Sequence, residues 1–129
     1  MATLKAALIL TSTDTSSDAL SLSLTDSLTV VSPSISPSKI TVSTTGANNI
    51  IQPNTDGQTY YVFVHHTGLD SSGSAVTSTL GVELTGDVAV GKLAAGEFMF
   101  MPVGGHSLGV QLQASGGTIA AEYAYFTKG

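Results

Sequence analysis

The stretch ALSLSLTDSLTV, residues 19–30, alternates leucine with small hydroxylated residues. Leu20, Leu22 and Leu24 share one parity, and Leu28 and Val30 keep it. Successive side chains on a strand point to opposite faces. A period of two therefore makes a β-strand with one aliphatic face and one polar face. Asp26 falls on the aliphatic parity. A turn or bulge at 25–27 would remove it from a core, so two short strands, or one bent one, are expected here.

The same period runs outward in both directions. Upstream, Leu4, Ala6, Leu8 and Leu10 share a face. Downstream, VSPSISPSKITVSTTG (31–46) contains Pro33 and Pro37. Proline cannot donate to a sheet ladder, so this part reads as an edge or a connection, with a new strand beginning at Ile40 and Val42. GANNIIQPNTDGQ (46–58) has the glycine, proline, asparagine and aspartate of a long turn region. Strands follow in TYYVFVHH (59–66), AVTSTLGVELT (75–85), the start of VAVGKLAAGE (88–97), EFMFMPV (97–103), LGVQLQA (108–114) and TIAAEYAYFTK (118–128). In LGVQLQA, Val110 and Leu112 are expected to face in, and Gln111 and Gln113 out. SGG (115–117) reads as a hairpin turn. Eight or nine short strands with turn signals about every 8–12 residues predict an all-β, antiparallel single domain over 1–129. A β-sandwich, a jelly roll or a small barrel fits that spacing. No window carries a helical period.

Two strands break the alternation. Tyr60–Val64 and Phe98–Met101 are apolar on both parities. Such a strand is either central in a layered fold or covered by a partner. Methionine and aromatic residues are enriched in interface cores. Only 10% of residues are charged, against about 25% in ordinary domains, so few charges keep copies apart. A homo-oligomer is expected, with at least one of Tyr61, Phe63, Met99 and Met101 at a contact with another subunit or another protein of the assembly.

Composition excludes several chemistries. The chain has 129 residues and no cysteine, which removes disulfides, thiolate metal sites and cysteine nucleophiles. The net charge is −5, and the basic residues are four scattered lysines, Lys5, Lys39, Lys92 and Lys128. Nucleic acid and anionic membrane surfaces are poor partners for such a chain. Serine and threonine make up about a quarter of it, well above ordinary usage. A mean hydropathy of +0.30 nevertheless argues for a folded core rather than disorder. The N-terminal MATLKAALIL has too short an apolar run for a signal peptide, and no stretch reaches the ~18 apolar residues of a membrane helix.

Chemistry, if present, would centre on His65, His66, Asp70 and His106. Adjacent histidines on a strand face opposite ways and cannot share one metal. The expectation is one histidine in the core, hydrogen-bonded to backbone, and the other at the surface or an interface. No nucleophile elbow of the G-x-S-x-G kind occurs. Most aspartates lie in expected turns, and Glu122 takes the solvated parity of its strand. The loop PNTDGQ (53–58) is rich in oxygen ligands but lacks the spaced acids of an EF-hand. No catalytic residue, cofactor or metal is therefore expected.

Three segments, TTGANNIIQPNTDGQTYYVFVHHTG (44–68), KLAAGEFMFMPVGG (92–105) and GVQLQASGGTIAAEYAYFTKG (109–129), resemble small virion structural proteins of tailed bacteriophages. The resemblance covers the last two-thirds of the chain and brings no catalytic residues. It implies a non-enzymatic particle component made in the host cytoplasm. The first expectation is a capsid decoration (cement) protein, a homotrimer seated on the major capsid protein. A tail, neck or fibre component is the alternative, and a carbohydrate-binding sandwich module the reading outside that class.

Overall fold

A computed structural model of the chain describes residues 2–15, 17–46, 48–53, 57–104 and 109–129. Nine strands make up its regular structure, with no helix among the described residues. They are β1 (Ala2–Ser12), β2 (Leu20–Val42), β3 (Asn48–Ile51), β4 (Tyr60–His66), β5 (Leu80–Leu84), β6 (Val88–Leu93), β7 (Phe98–Val103), β8 (Val110–Ala114) and β9 (Ile119–Lys128). Five form one antiparallel sheet in the order β1-β2-β9-β4-β7, and four form a second in the order β3-β8-β5-β6. The fold is an all-β sandwich.

The core lies between the sheets. Val42, Val62, Val64, Ile119 and Ala121 from the first sheet meet Leu80, Val82, Val110 and Leu112 from the second, all fully buried. β-branched residues dominate because their stiff side chains pack well on a pleated surface. Fully burying one such side chain contributes about 1.5–3 kcal/mol.

The strands are not all short. β2 runs for 23 residues, through both prolines, because it serves two partners in succession. Its first part pairs with β1, ending at Ala2↔Val30. Its second part pairs with β9, from Val30↔Lys128 to Val42↔Ile119. Beyond Val30 the side of β2 away from β9 is an open edge. The register shifts between Val31 and Ser34 and between Ile35 and Ser38, so Pro33 and Pro37 each sit in an irregularity on an open edge, where proline is tolerated. The Thr127 hydroxyl donates to the Pro33 carbonyl there.

Other expectations need correction. The β1–β2 register continues unbroken through Ala6↔Asp26, with no bulge at 25–27. Asp26 is exposed, so nothing requires its removal. Residues 48–51 pair with β8 as a strand, although the sequence reads as turn. The segment 115–117 connects β8 in one sheet to β9 in the other and closes no hairpin. β4 is internal, between β9 and β7, whereas β7 is an edge strand. Gln111 is buried, not solvated: its amide donates to Glu83 Oε1 and Asp87 Oδ1, each at 2.9 Å. β8 is internal to its sheet, and its neighbours' side chains cover that face.

Candidate functional site

The two histidines point to opposite faces of β4. His66 faces the core and is fully buried. Its Nε2–H donates to the Ser78 carbonyl at 2.9 Å, and its Nδ1 accepts the Gly68 N–H at 2.9 Å. A carbonyl only accepts and an amide N–H only donates, so the ring is the neutral Nε2–H tautomer. Both nitrogens are engaged, and no lone pair is left for a metal. The ring fastens the 67–78 segment to β4 in a structural role.

His65 faces outward. Its Nδ1–H donates to Glu122 Oε1 at 2.9 Å across the β4–β9 pair. Both side chains are about one-third exposed. The Asp70 carboxylate caps its own loop, accepting the Ser72 N–H at 2.8 Å and the Ser74 N–H at 2.9 Å. His106 lies outside the described residues, as do residues 54–56 of PNTDGQ. Among the described residues, no three His, Asp or Glu side chains gather into a metal-ligating group.

The feature that stands out is apolar. On the outer face of the first sheet, register places three rows across β7, β4 and β9: Phe98–His65–Glu122, Phe100–Phe63–Ala124 and Pro102–Tyr61–Phe126. Ala124 is small and buried under its neighbours, so the middle row is a shallow depression walled by phenyl rings. Phe98 is 66% exposed and Phe100 43%. Tyr61 stacks on Phe100, and the Lys128 ammonium lies 5.0 Å from the Tyr61 ring centre. This surface is an aromatic wall.

Of the four interface candidates, Tyr61 and Phe63 lie in that wall and are half-buried. Met99 and Met101 sit on the opposite parity of β7, packed against the core. Met99 reaches across the sandwich to β6, where a Cβ added at Gly91 would stand 3.4 Å from its sulfur. The outward residues of β7 are Phe98, Phe100 and Pro102. Parity alone could have separated the two sets, once β7 was known to be an edge strand with its methionines inward.

A second apolar surface faces the wall. β1 and β2 form a two-stranded arm in which Leu4↔Leu28, Leu8↔Leu24 and Leu10↔Leu22 stand directly opposite each other. All share one face. The other face carries Thr3, Lys5, Ala7, Ile9 and Thr11 against Thr29, Ser27, Thr25, Ser23 and Ser21. Between arm and wall lies a cleft of about 920 Å³, lined by Leu4, Leu8 and Leu24 on one side and by Phe63, Phe98 and Phe100 on the other. The arm continues past it: Leu10, Leu20 and Leu22 lie outside the cleft lining and are 37–45% exposed.

The chain matches no family model and no curated sequence.

Proposed function

We propose that this chain is a non-enzymatic structural protein of a phage particle, a capsid decoration protein that stabilises the head shell as a homotrimer on the major capsid protein. The observation that carries the assembly part of this reading is the pair of outward apolar surfaces, the leucine arm and the aromatic wall. Contiguous apolar patches beyond a few hundred Å² are rare on monomers and mark contacts. A two-stranded ribbon is marginal in water by itself, and the leucine face of the arm gains stability by being covered. The low charge of the chain supports the same reading, since charged residues are depleted at interface cores. The phage context and the threefold seat rest on the sequence resemblance alone.

The arm also supports a second placement, in the tail, neck or fibre of the same kind of particle, because an extended ribbon suits linear contacts between stacked subunits. A carbohydrate module is less well supported. Its aromatic platform would come from Phe98, Phe100 and Tyr61, of which only Tyr61 carries a hydroxyl, while Tyr123 and Tyr125 pack against the core.

Immunogold labelling and cryo-EM of particles from the source, with antibody to the recombinant chain, test this. Label spread over the head supports decoration. Label confined to the tail supports the second placement. Protein found only free of particles refutes both. A glycan array that captures the free protein would favour the carbohydrate reading instead.

A further inference from the structure

We infer that the free edge of β1 pairs with the β1 edge of a second copy of this chain, antiparallel and across a twofold axis at Ala7. The inference goes beyond the reading above. It concerns the main-chain edge of the arm rather than its apolar faces, and it does not depend on a phage particle.

β1 is an end strand of its sheet, so one of its two rows of main-chain N–H and C=O groups has no strand beside it among the described residues. Its 11 residues pair with β2 in unbroken register, from Ala2↔Val30 to Ser12↔Leu20. No proline, glycine or bulge interrupts it. Such an edge is a template for another strand. An apolar face accepts cover of many kinds, but a row of alternating donors and acceptors is matched along its length by an extended chain.

The other open edges are blunted by devices that suppress pairing. β7 carries Pro102 and runs for 6 residues. The free part of β2 carries Pro33, Pro37 and two register shifts. β3 has 4 residues. β6 bulges at Val90, since Val82 pairs with Gly91 and Glu83 with Ala89. Among the described residues, the edge that a second copy leaves unprotected is therefore β1 itself.

The sequence of β1 suits self-pairing. A twofold axis through a sheet keeps each parity on its own face, so the axis falls on a residue. Centring it on Ala7 brings all 11 residues into the pair, with Ala2 opposite Ser12. Leu4 then meets Leu10, Ala6 meets Leu8 and Thr3 meets Thr11, and matched cross-strand pairs of this kind stabilise a sheet. The strand's one charge, Lys5, meets Ile9, whose 68% exposed side chain its aliphatic stem covers. No like charges face each other. About ten main-chain hydrogen bonds close. Two arms that are each marginal as two-stranded ribbons become one four-stranded sheet in the order β2-β1-β1-β2.

The absence of cysteine makes the register testable. Directly opposed residues have Cα atoms about 4.5–5.5 Å apart, within disulfide reach. Ala7→Cys should therefore link two chains through its own position on mild oxidation. Thr3→Cys and Thr11→Cys should each stay unlinked alone and link when mixed. All three positions are exposed, and far-UV circular dichroism checks the fold. Charge gives a second readout. Ile9→Lys sets like charges opposite each other at Lys5, and should weaken association at least fivefold in sedimentation. Ile9→Glu sets opposite charges there and should not weaken it, whereas a contact through an apolar face would lose affinity to both changes. Wild-type oligomers that form no Ala7→Cys link, or that Ile9→Lys and Ile9→Glu weaken equally, overturn edge pairing and leave assembly by another surface standing. Monomers at every concentration overturn both readings.

Discussion

The ring of Phe100 stacks on the ring of Tyr61, with centroids 6.0 Å apart and planes 11° from parallel, on the side of the sheet that faces away from the core. One position along β7, Met99 points the other way, onto the core and Gly91. The alternation of a single strand thus separates a residue that holds the fold from one available for contact. Phe100→Ser should lose the ring pair, about 0.5–1.5 kcal/mol, and leave the fold intact. Met99→Ser should cost about 2–4 kcal/mol through lost burial and an unfilled cavity. Urea midpoints of the two variants decide this, and equal losses would place both side chains in the core.

The histidines should separate in the same way. His66→Ala removes the group that satisfies the Ser78 carbonyl and the Gly68 N–H, both held in the 67–78 connection. Two part-buried backbone groups left without partners cost at most about 1–3 kcal/mol each. His65→Ala breaks a partly solvated pair with Glu122, worth at most about 1 kcal/mol after screening. Chemical denaturation should therefore show a large shift for the first and a small one for the second. A large shift for His65 would mean that the wall's rim is structural.

Gln111 makes a sharper case. Its amide nitrogen bridges Glu83 and Asp87, so the change Gln111→Glu replaces a shared donor with a third carboxylate at a buried position. The expected loss is about 3–5 kcal/mol at neutral pH, the scale of an uncompensated buried charge. Gln111→Met, which keeps the volume without the charge, should lose less. Thermal melts of both test the order, and a reversed order would show that the bridge is not formed.

Gly109 is fixed by space. A Cβ there would stand 2.3 Å from the Ile51 carbonyl oxygen and 2.8 Å from the Pro53 nitrogen. These are backbone atoms that cannot swing aside. Its N–H also donates to the Thr85 hydroxyl at 2.7 Å. Gly109→Ala should push β3 away from β8 and destabilise the fold by about 1–3 kcal/mol. Gly104→Ala, where the added carbon would meet nothing within 4 Å, should cost far less.

What the sequence determined by itself is the class of fold and the roles of its plainest residues. Alternation in LGVQLQA, TYYVFVHH and the leucine stretches specifies strands because a pleat sends neighbours to opposite faces. The same rule separates His65 from His66, with one in the core on backbone partners and one at the surface. What only the tertiary structure decided is which apolar faces found cover. The leucines of 20–28 and the valines of 62–64 read alike, as one face of a strand. The valines are buried because a second sheet lies over them, and Leu20, Leu22 and Leu24 stay exposed because β2 extends past the sandwich with only β1 beside it. Gln111 reads as solvated by the same parity, yet neighbouring strands bury it. Pairing partners lie tens of residues away, as Val62↔Tyr125 and Leu112↔Asn48 do, and local periodicity carries no record of them. It sets the two faces of each strand, while burial depends on what the rest of the chain places against them.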